Sequence, residues 1–197
     1  KVLEFYWNKV LNFNLLSNLF SGLVHISNLN FYQNILKGFE NNVLLAVSNY
    51  FMLFDSEFLN NTFEHYTIIN SLKPIKLTMQ NITLQFNIFP TLKSNFLSIE
   101  HNFSLMIVLS KMIENICQGI LLNLGSFFEE NEAVLETLLI KKNQFRRFLY
   151  VALSNILYLE NIYSIENNIE KDGTTVLFEK GALFYLDSVG DIVINNI

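Results

Sequence analysis

The chain has 197 residues, 51% of them hydrophobic and only 16% charged, with a formal net charge of -5. That balance excludes disorder, which needs low hydrophobicity and high charge. It also gives no basis for general nucleic-acid binding, which works by neutralising phosphates with basic side chains. A single cysteine, Cys117, excludes an internal disulfide and argues against a disulfide-built secreted module.

So few charges cannot cover an isolated sphere, and monomers rarely leave large apolar patches in water. Part of the surface is therefore expected to face another protein or a lipid. Asn is far commoner than Lys, Arg or Asp, and Gly and Pro are scarce. The plain reading is an AT-rich coding sequence, in which single Asn residues carry little functional information. The glycosylation-type triplets at Asn60, Asn81 and Asn102 then read as chance. With no initiator Met and no signal-peptide pattern, the sequence reads as a processed piece of something longer.

In chain order, Leu3–Leu23 carries Phe5, Tyr6, Val10, Phe13, Leu16, Phe20 and Leu23 at steps of three and four, which predicts a helix. Ser27 or Asn28 would cap a second helix ending at Gly38, Glu40–Phe54 would form a buried third, and Ser56 would open a fourth reaching Ile69. Between Pro74 and Pro90 the period changes. Ile75, Leu77 and Met79, then Ile82, Leu84, Phe86 and Ile88, alternate with polar residues, which predicts β-structure. The phase slips at Gln80–Asn81, so 74–90 is a bulged strand or two strands around a tight turn.

The second half reads as helical again: Ile99–Leu124 as the central buried helix, then Glu129–Lys142 and Asn143–Tyr163. Asp172–Gly173 breaks that pattern, and residues 172–197 read as a β-hairpin region. The run Val151–Leu157 resembles the apolar-Ala-Leu-x-Asn-Leu stretch of armadillo-type repeats over seven residues. No second copy occurs, and no family is assigned on it. The fold expected is therefore mainly α. It is a multi-helix domain over 1–197, in one version stacked helical hairpins resembling a solenoid, with a short central β element and a C-terminal β-hairpin. The charge-free stretch Val10–Leu36 and the apolar Phe103–Leu124 are too often interrupted by polar side chains to favour membrane insertion.

Chemistry-bearing residues are few. Cys117 could pair with His25, His65 or His101, but it lies on an apolar face, where a thiol acts as a small hydrophobe. The histidines lack metal-ligand spacing. Glu129, Glu130, Glu132 and Glu136 read as the acidic start of a helix. No phosphate loop, dinucleotide fingerprint or nucleophile elbow occurs. No catalytic, metal or cofactor site is expected.

The one uneven feature is basic: Lys141, Lys142, Arg146 and Arg147 fall within seven positions and would form a docking patch for a partner or an anion. The function expected is non-catalytic, a scaffold or adaptor segment that binds other protein subunits inside a cell or organelle. A subunit of an organellar membrane complex is the first alternative, with membrane contact less favoured. An enzyme with a site assembled from scattered residues is the second.

Overall fold

Six asparagines recur along the chain: Asn34, Asn61, Asn87, Asn115, Asn143 and Asn167, separated by 27, 26, 28, 28 and 24 residues. A computed structural model describes residues 3–6, 9–11, 16–20, 23–71, 73–125, 131–152, 156–169, 184–187 and 191–196, and it stacks these six side chains in one row. The row marks the period of a parallel β-solenoid. Each coil contributes to two sheets, and every strand pairing described is parallel.

One coil illustrates the path. Asn49–Leu59 runs along the first sheet, turns at Asn60–Asn61, and Thr62–Ser71 crosses the second sheet. The chain then returns so that Ile75 lies beside Asn49 and begins Ile75–Gln85 on the first sheet again. The coils that follow repeat this with Phe103–Val108 and Lys111–Ile113, Glu132–Lys141, Ile156–Ile165 and Asp191–Asn195 on the first sheet. The second sheet continues through Ile88–Phe89, Asn95–Ile99, Ile116–Gly125 and Gln144–Ala152.

The turns are made by single residues in the left-handed backbone region. At the corner between the sheets these are Gln33, Asn60, Phe86, Glu114, Lys142 and Glu166, with φ between 53° and 57°, each immediately before a ladder asparagine. A second column, Asn28, Asp55, Asn81, Leu109, Thr137 and Asn161, bends each strand of the first sheet in its middle. A left-handed residue costs roughly 1–2 kcal/mol for most side chains, and Asn and Asp tolerate it best because they hydrogen-bond locally. That is one physical reason for the high Asn content.

The ladder is the other. The Oδ1 of Asn87 accepts both the backbone N–H and the side-chain amide of Asn61, at 3.1 and 3.0 Å. Its Nδ2 donates to Oδ1 of Asn115 at 3.0 Å and to the Phe58 carbonyl at 2.6 Å. The same pattern repeats at Asn61, Asn115 and Asn143, and at Asn167 the second donor bond goes to the Ser164 hydroxyl. A sharp corner leaves backbone groups with no strand partner, and here a buried amide satisfies them. Serines do the same at the mid-strand bend: Ser56 and Ser110 accept from the N–H of Leu29 and Ile82, each at 3.1 Å, and donate back to their own strands.

Inside the coils, equivalent residues stack. Phe31 lies on Phe58 with centroids 5.5 Å apart, and Phe63 on Phe89 at 5.3 Å. Pairs of this kind contribute about 0.5–1.5 kcal/mol beyond their buried area. In the second sheet the inside–outside alternation breaks once per coil at two successive buried apolar residues: Leu44–Leu45, Ile68–Ile69, Phe96–Leu97, Leu121–Leu122 and Phe148–Leu149.

The mainly α expectation is therefore overturned: among the described residues there is no helix. Leu3–Leu23, Glu40–Phe54, Ile99–Leu124, Glu129–Lys142 and Asn143–Tyr163 hold strands and the bends between them where they are described. Left-handed bends and buried doublets shift the phase of a period-two pattern. The resulting steps of three and four imitate a helix. The β-structure expected at 75–89 is present as Ile75–Gln85 and Ile88–Phe89, and the phase slip falls on left-handed Asn81. Its halves do not pair with each other, because each pairs with neighbouring coils. The C-terminal hairpin is also corrected. Phe184–Asp187 joins the second sheet beside Leu149–Ala152, whereas Asp191–Asn195 joins the first beside Ile156–Glu160. Residues 172–183 lie outside the described residues. Among the described residues no helix is long and apolar enough to cross a membrane.

Candidate functional site

A solenoid places chemistry in rows, because residues one coil apart stand side by side at the strand spacing of about 4.8 Å. On the outer face of the first sheet, the bend column and the column two residues later form a polar groove. It is lined by Asn28, Asn30, Asp55, Glu57, Asn81 and Thr83, with a volume of about 290 Å³. Both carboxylates there are held: Asn81 Nδ2 donates to Asp55 at 2.7 Å, and the Tyr32 hydroxyl donates to Glu57 at 2.7 Å.

Further along the same face the outward residues become apolar. Met106, Leu109, Tyr158, Tyr163 and Ile165 are each 38–55% exposed, with Val134 and Leu139 half-buried between them. The rows are continuous: Met106 stands beside Val134, and Val134 beside Tyr158. Glu136 and Glu160, adjacent across two coils, interrupt the strip with like charges. The strip thus combines exposed tyrosines and aliphatic side chains with two carboxylates in its middle.

The second sheet carries another groove, of about 280 Å³, along the columns of Thr67 and Asn70. Thr67, Asn70, Asn95, Ser98 and Asn123 line it, with Lys93 and Glu100 at its sides. Its upper wall is the turn Thr91–Ser94, which packs so closely over Gly119 that a Cβ there would stand 2.5 Å from the Leu92 carbonyl oxygen.

The chain shows no significant match to any protein-family model, curated protein or solved structure.

The residues singled out from the sequence are dispersed by this fold. Lys142 occupies a left-handed corner, and its Nζ is 3.9 Å from Glu166 one coil on. Lys141 faces outward on the first sheet, beside Ile165. Arg146 and Arg147 follow the corner on the strand Gln144–Ala152 of the second sheet. No helix face gathers the four; Phe145 and Leu149, on the same strand as the two arginines, are buried.

Cys117 is buried in the interior row between Phe89 and Phe145, and desolvation pushes its thiol up to about 12. His25 bonds Ser27 at 3.0 Å and meets the Phe54 ring edge-on, and His65 adopts a left-handed backbone. Among the described residues no three His, Cys, Asp or Glu side chains are gathered around a point that could hold a metal ion. Glu132 and Glu136, expected at a helix start, lie on the outer face of a strand, and Glu129 and Glu130 lie outside the described residues.

Neither groove was read from the sequence. The available signal was the recurrence of Asn at 24–28 residues, which would have aligned the coils and exposed the rows.

Proposed function

We propose that this solenoid is a non-catalytic recognition and scaffold segment of a larger assembly, which docks a protein subunit across the outer face of its first sheet. The observation that carries this is the exposed strip of Met106, Leu109, Tyr158, Tyr163 and Ile165 on a regularly spaced surface. Large exposed apolar side chains in continuous rows mark partner surfaces, and tyrosines are the favoured anchors of such interfaces. The solenoid suits the role because each coil contacts mainly its neighbours, so a long face is built from short repeats. The basic residues contribute charge steering from both sides of the corner, Lys141 and Lys142 where the first-sheet strand ends and Arg146 and Arg147 on the strand that follows.

The test is migration of the tagged chain from its own cells under native conditions. The wild type should migrate well above its 22.9 kDa mass, and Tyr158→Lys with Tyr163→Lys should return it to that mass with an unchanged melting temperature. Wild-type migration as a lone chain, or an unaltered complex in the double variant, would contradict the reading. In the assembly, Arg146→Ala with Arg147→Ala should weaken association most at low salt.

A further inference from the structure

We propose that the subunit docked on the first sheet is a second copy of this chain, packed face to face about a two-fold axis that runs along the solenoid at the mid-strand bend. The proposal rests on the reading of that face as a docking surface and names its occupant.

The observation that carries it is a mirror order in the outward residues. Along Ile156–Ile165 the side chains facing out are Ile156, Tyr158 and Glu160 before the bend, then Asn161, Tyr163 and Ile165 after it. From either end the order is isoleucine, tyrosine, polar residue. One coil earlier the mirror pairs are Val134 with Leu139 and Glu132 with Lys141. The coil before that pairs Val108 with Leu109 and Met106 with Lys111, and Ile75–Gln85 pairs Thr78 with Thr83.

Mirror positions are the ones a two-fold contact joins. An axis parallel to the solenoid keeps each coil level with its counterpart and reverses the strand direction across the interface. A residue before the bend therefore meets the residue equally far beyond it on the second copy, and each contact occurs twice. Tyr158 meets Tyr163, Ile156 meets Ile165 and Val134 meets Leu139, which places apolar groups on apolar groups throughout the strip. Met106 meets Lys111, whose methylene stem covers it while the ammonium stays in water.

Charge follows the same rule. Glu132 and Lys141 stand at opposite ends of one strand, about 30 Å of extended chain apart, so they do not pair within one copy. Among the described residues neither has an ion pair. The axis brings Glu132 of each copy to Lys141 of the other, which makes two ion pairs at the margins. Near the axis Glu136 and Glu160 face Thr137 and Asn161 of the second copy. Asn161 Oδ1 already accepts from Asn196 at 3.2 Å, which leaves its Nδ2 to donate to a carboxylate. The carboxylates of the two copies also approach one another there, which limits the affinity.

The area is sufficient. Four coils, from Ile75–Gln85 to Ile156–Ile165, form a face of roughly 600 Å² at about 4.8 Å per coil and about 3.3 Å per residue. That is the lower end of what each partner contributes to a stable interface.

The experiment is sedimentation equilibrium of the purified full chain from about 2 to about 200 µM. The wild type should form a dimer of twice its 22.9 kDa mass. Glu132→Lys sets lysine against lysine and should weaken the dimer tenfold or more, and adding Lys141→Glu should restore it. Should the double variant fail to fold, the exposed pair Tyr158→Glu with Tyr163→Lys decides, and it should associate at least tenfold more tightly than Tyr158→Glu alone. A lone chain at every concentration, or a charge-swapped variant no tighter than its single parent, would overturn the proposal. If the purified chain is monomeric while the tagged chain still migrates in an assembly from its cells, the face docks a different subunit and only the second-copy proposal falls. If both experiments show a lone chain, the docking reading falls with it.

Discussion

Replacing Asn87 by alanine tests how much the asparagine ladder holds the coils together. Asn87 is fully buried and makes four side-chain hydrogen bonds. Two of its partners retain another bond: Asn61 Nδ2 still reaches the Phe31 carbonyl, and Asn115 Oδ1 still accepts the Asn87 backbone N–H. The other two, the Asn61 N–H and the Phe58 carbonyl, lose the bonds Asn87 made to them at 3.1 and 2.6 Å, deep in the corner. At about 1–3 kcal/mol for each orphaned buried group, the variant should lose roughly 4 kcal/mol. Asn167→Ala, at a part-buried rung, should lose about half as much because water reaches the exposed groups. Urea titration by circular dichroism gives both values, and hydrogen exchange at the Asn61 amide locates the damage. Solenoids unfold by local steps as well as globally, so the exchange data carry weight of their own. A loss at Asn87 below about 1 kcal/mol, no larger than that of outward-facing Thr83→Ala, would refute the ladder as a source of stability.

Three more outcomes follow from particular residues. Phe86 holds φ 55° with an exposed ring, so Phe86→Asn should raise stability by about 1 kcal/mol in the same titration. Gly119→Ala should cost about 1–3 kcal/mol, because its Cβ would stand 2.5 Å from the Leu92 carbonyl oxygen and must displace backbone. Burial raises the Cys117 thiol from 9.0 to about 12, so the folded state keeps a proton that the unfolded chain releases above pH 9. This contribution is intact below pH 9 and is lost as pH climbs toward 12. Wild type should thus lose about 1.4 kcal/mol per pH unit more than Cys117→Ala above pH 9. Parallel slopes would show the thiol to be accessible.

Part of this fold was legible in the residues. Strand period was plain at Ile75–Gln85, where inward apolar and outward polar residues alternate cleanly on a half-solvated strand. It was hidden at Phe103–Val108 and Glu132–Lys141, where Met106, Val108, Val134 and Leu139 face outward and fill the polar phase with apolar side chains. Turns were hidden because Phe86, Leu109 and Lys142 make them without Gly or Pro. The Asn excess reads as coding bias until its spacing is measured, whereas Asn34, Asn61, Asn87, Asn115 and Asn143 are buried ladder rungs. The grooves depend on which residues stand one coil apart, such as Asn70, Ser98 and Asn123, and a misread period conceals that.

The coil stacking itself is tested most directly by distances between spin labels placed in one outward row. Asn30, Glu57, Thr83, Lys111, Leu139 and Tyr163 are successive register partners. In a background where Cys117 is replaced by Ala, cysteine pairs at Asn30 with Leu139 and at Asn30 with Tyr163 span four and five coil intervals. The solenoid predicts mean separations of about 19 and 24 Å, one strand spacing apart, by pulsed electron resonance. Separations that do not increase with coil number, or a helical far-ultraviolet spectrum in the same protein, would contradict it.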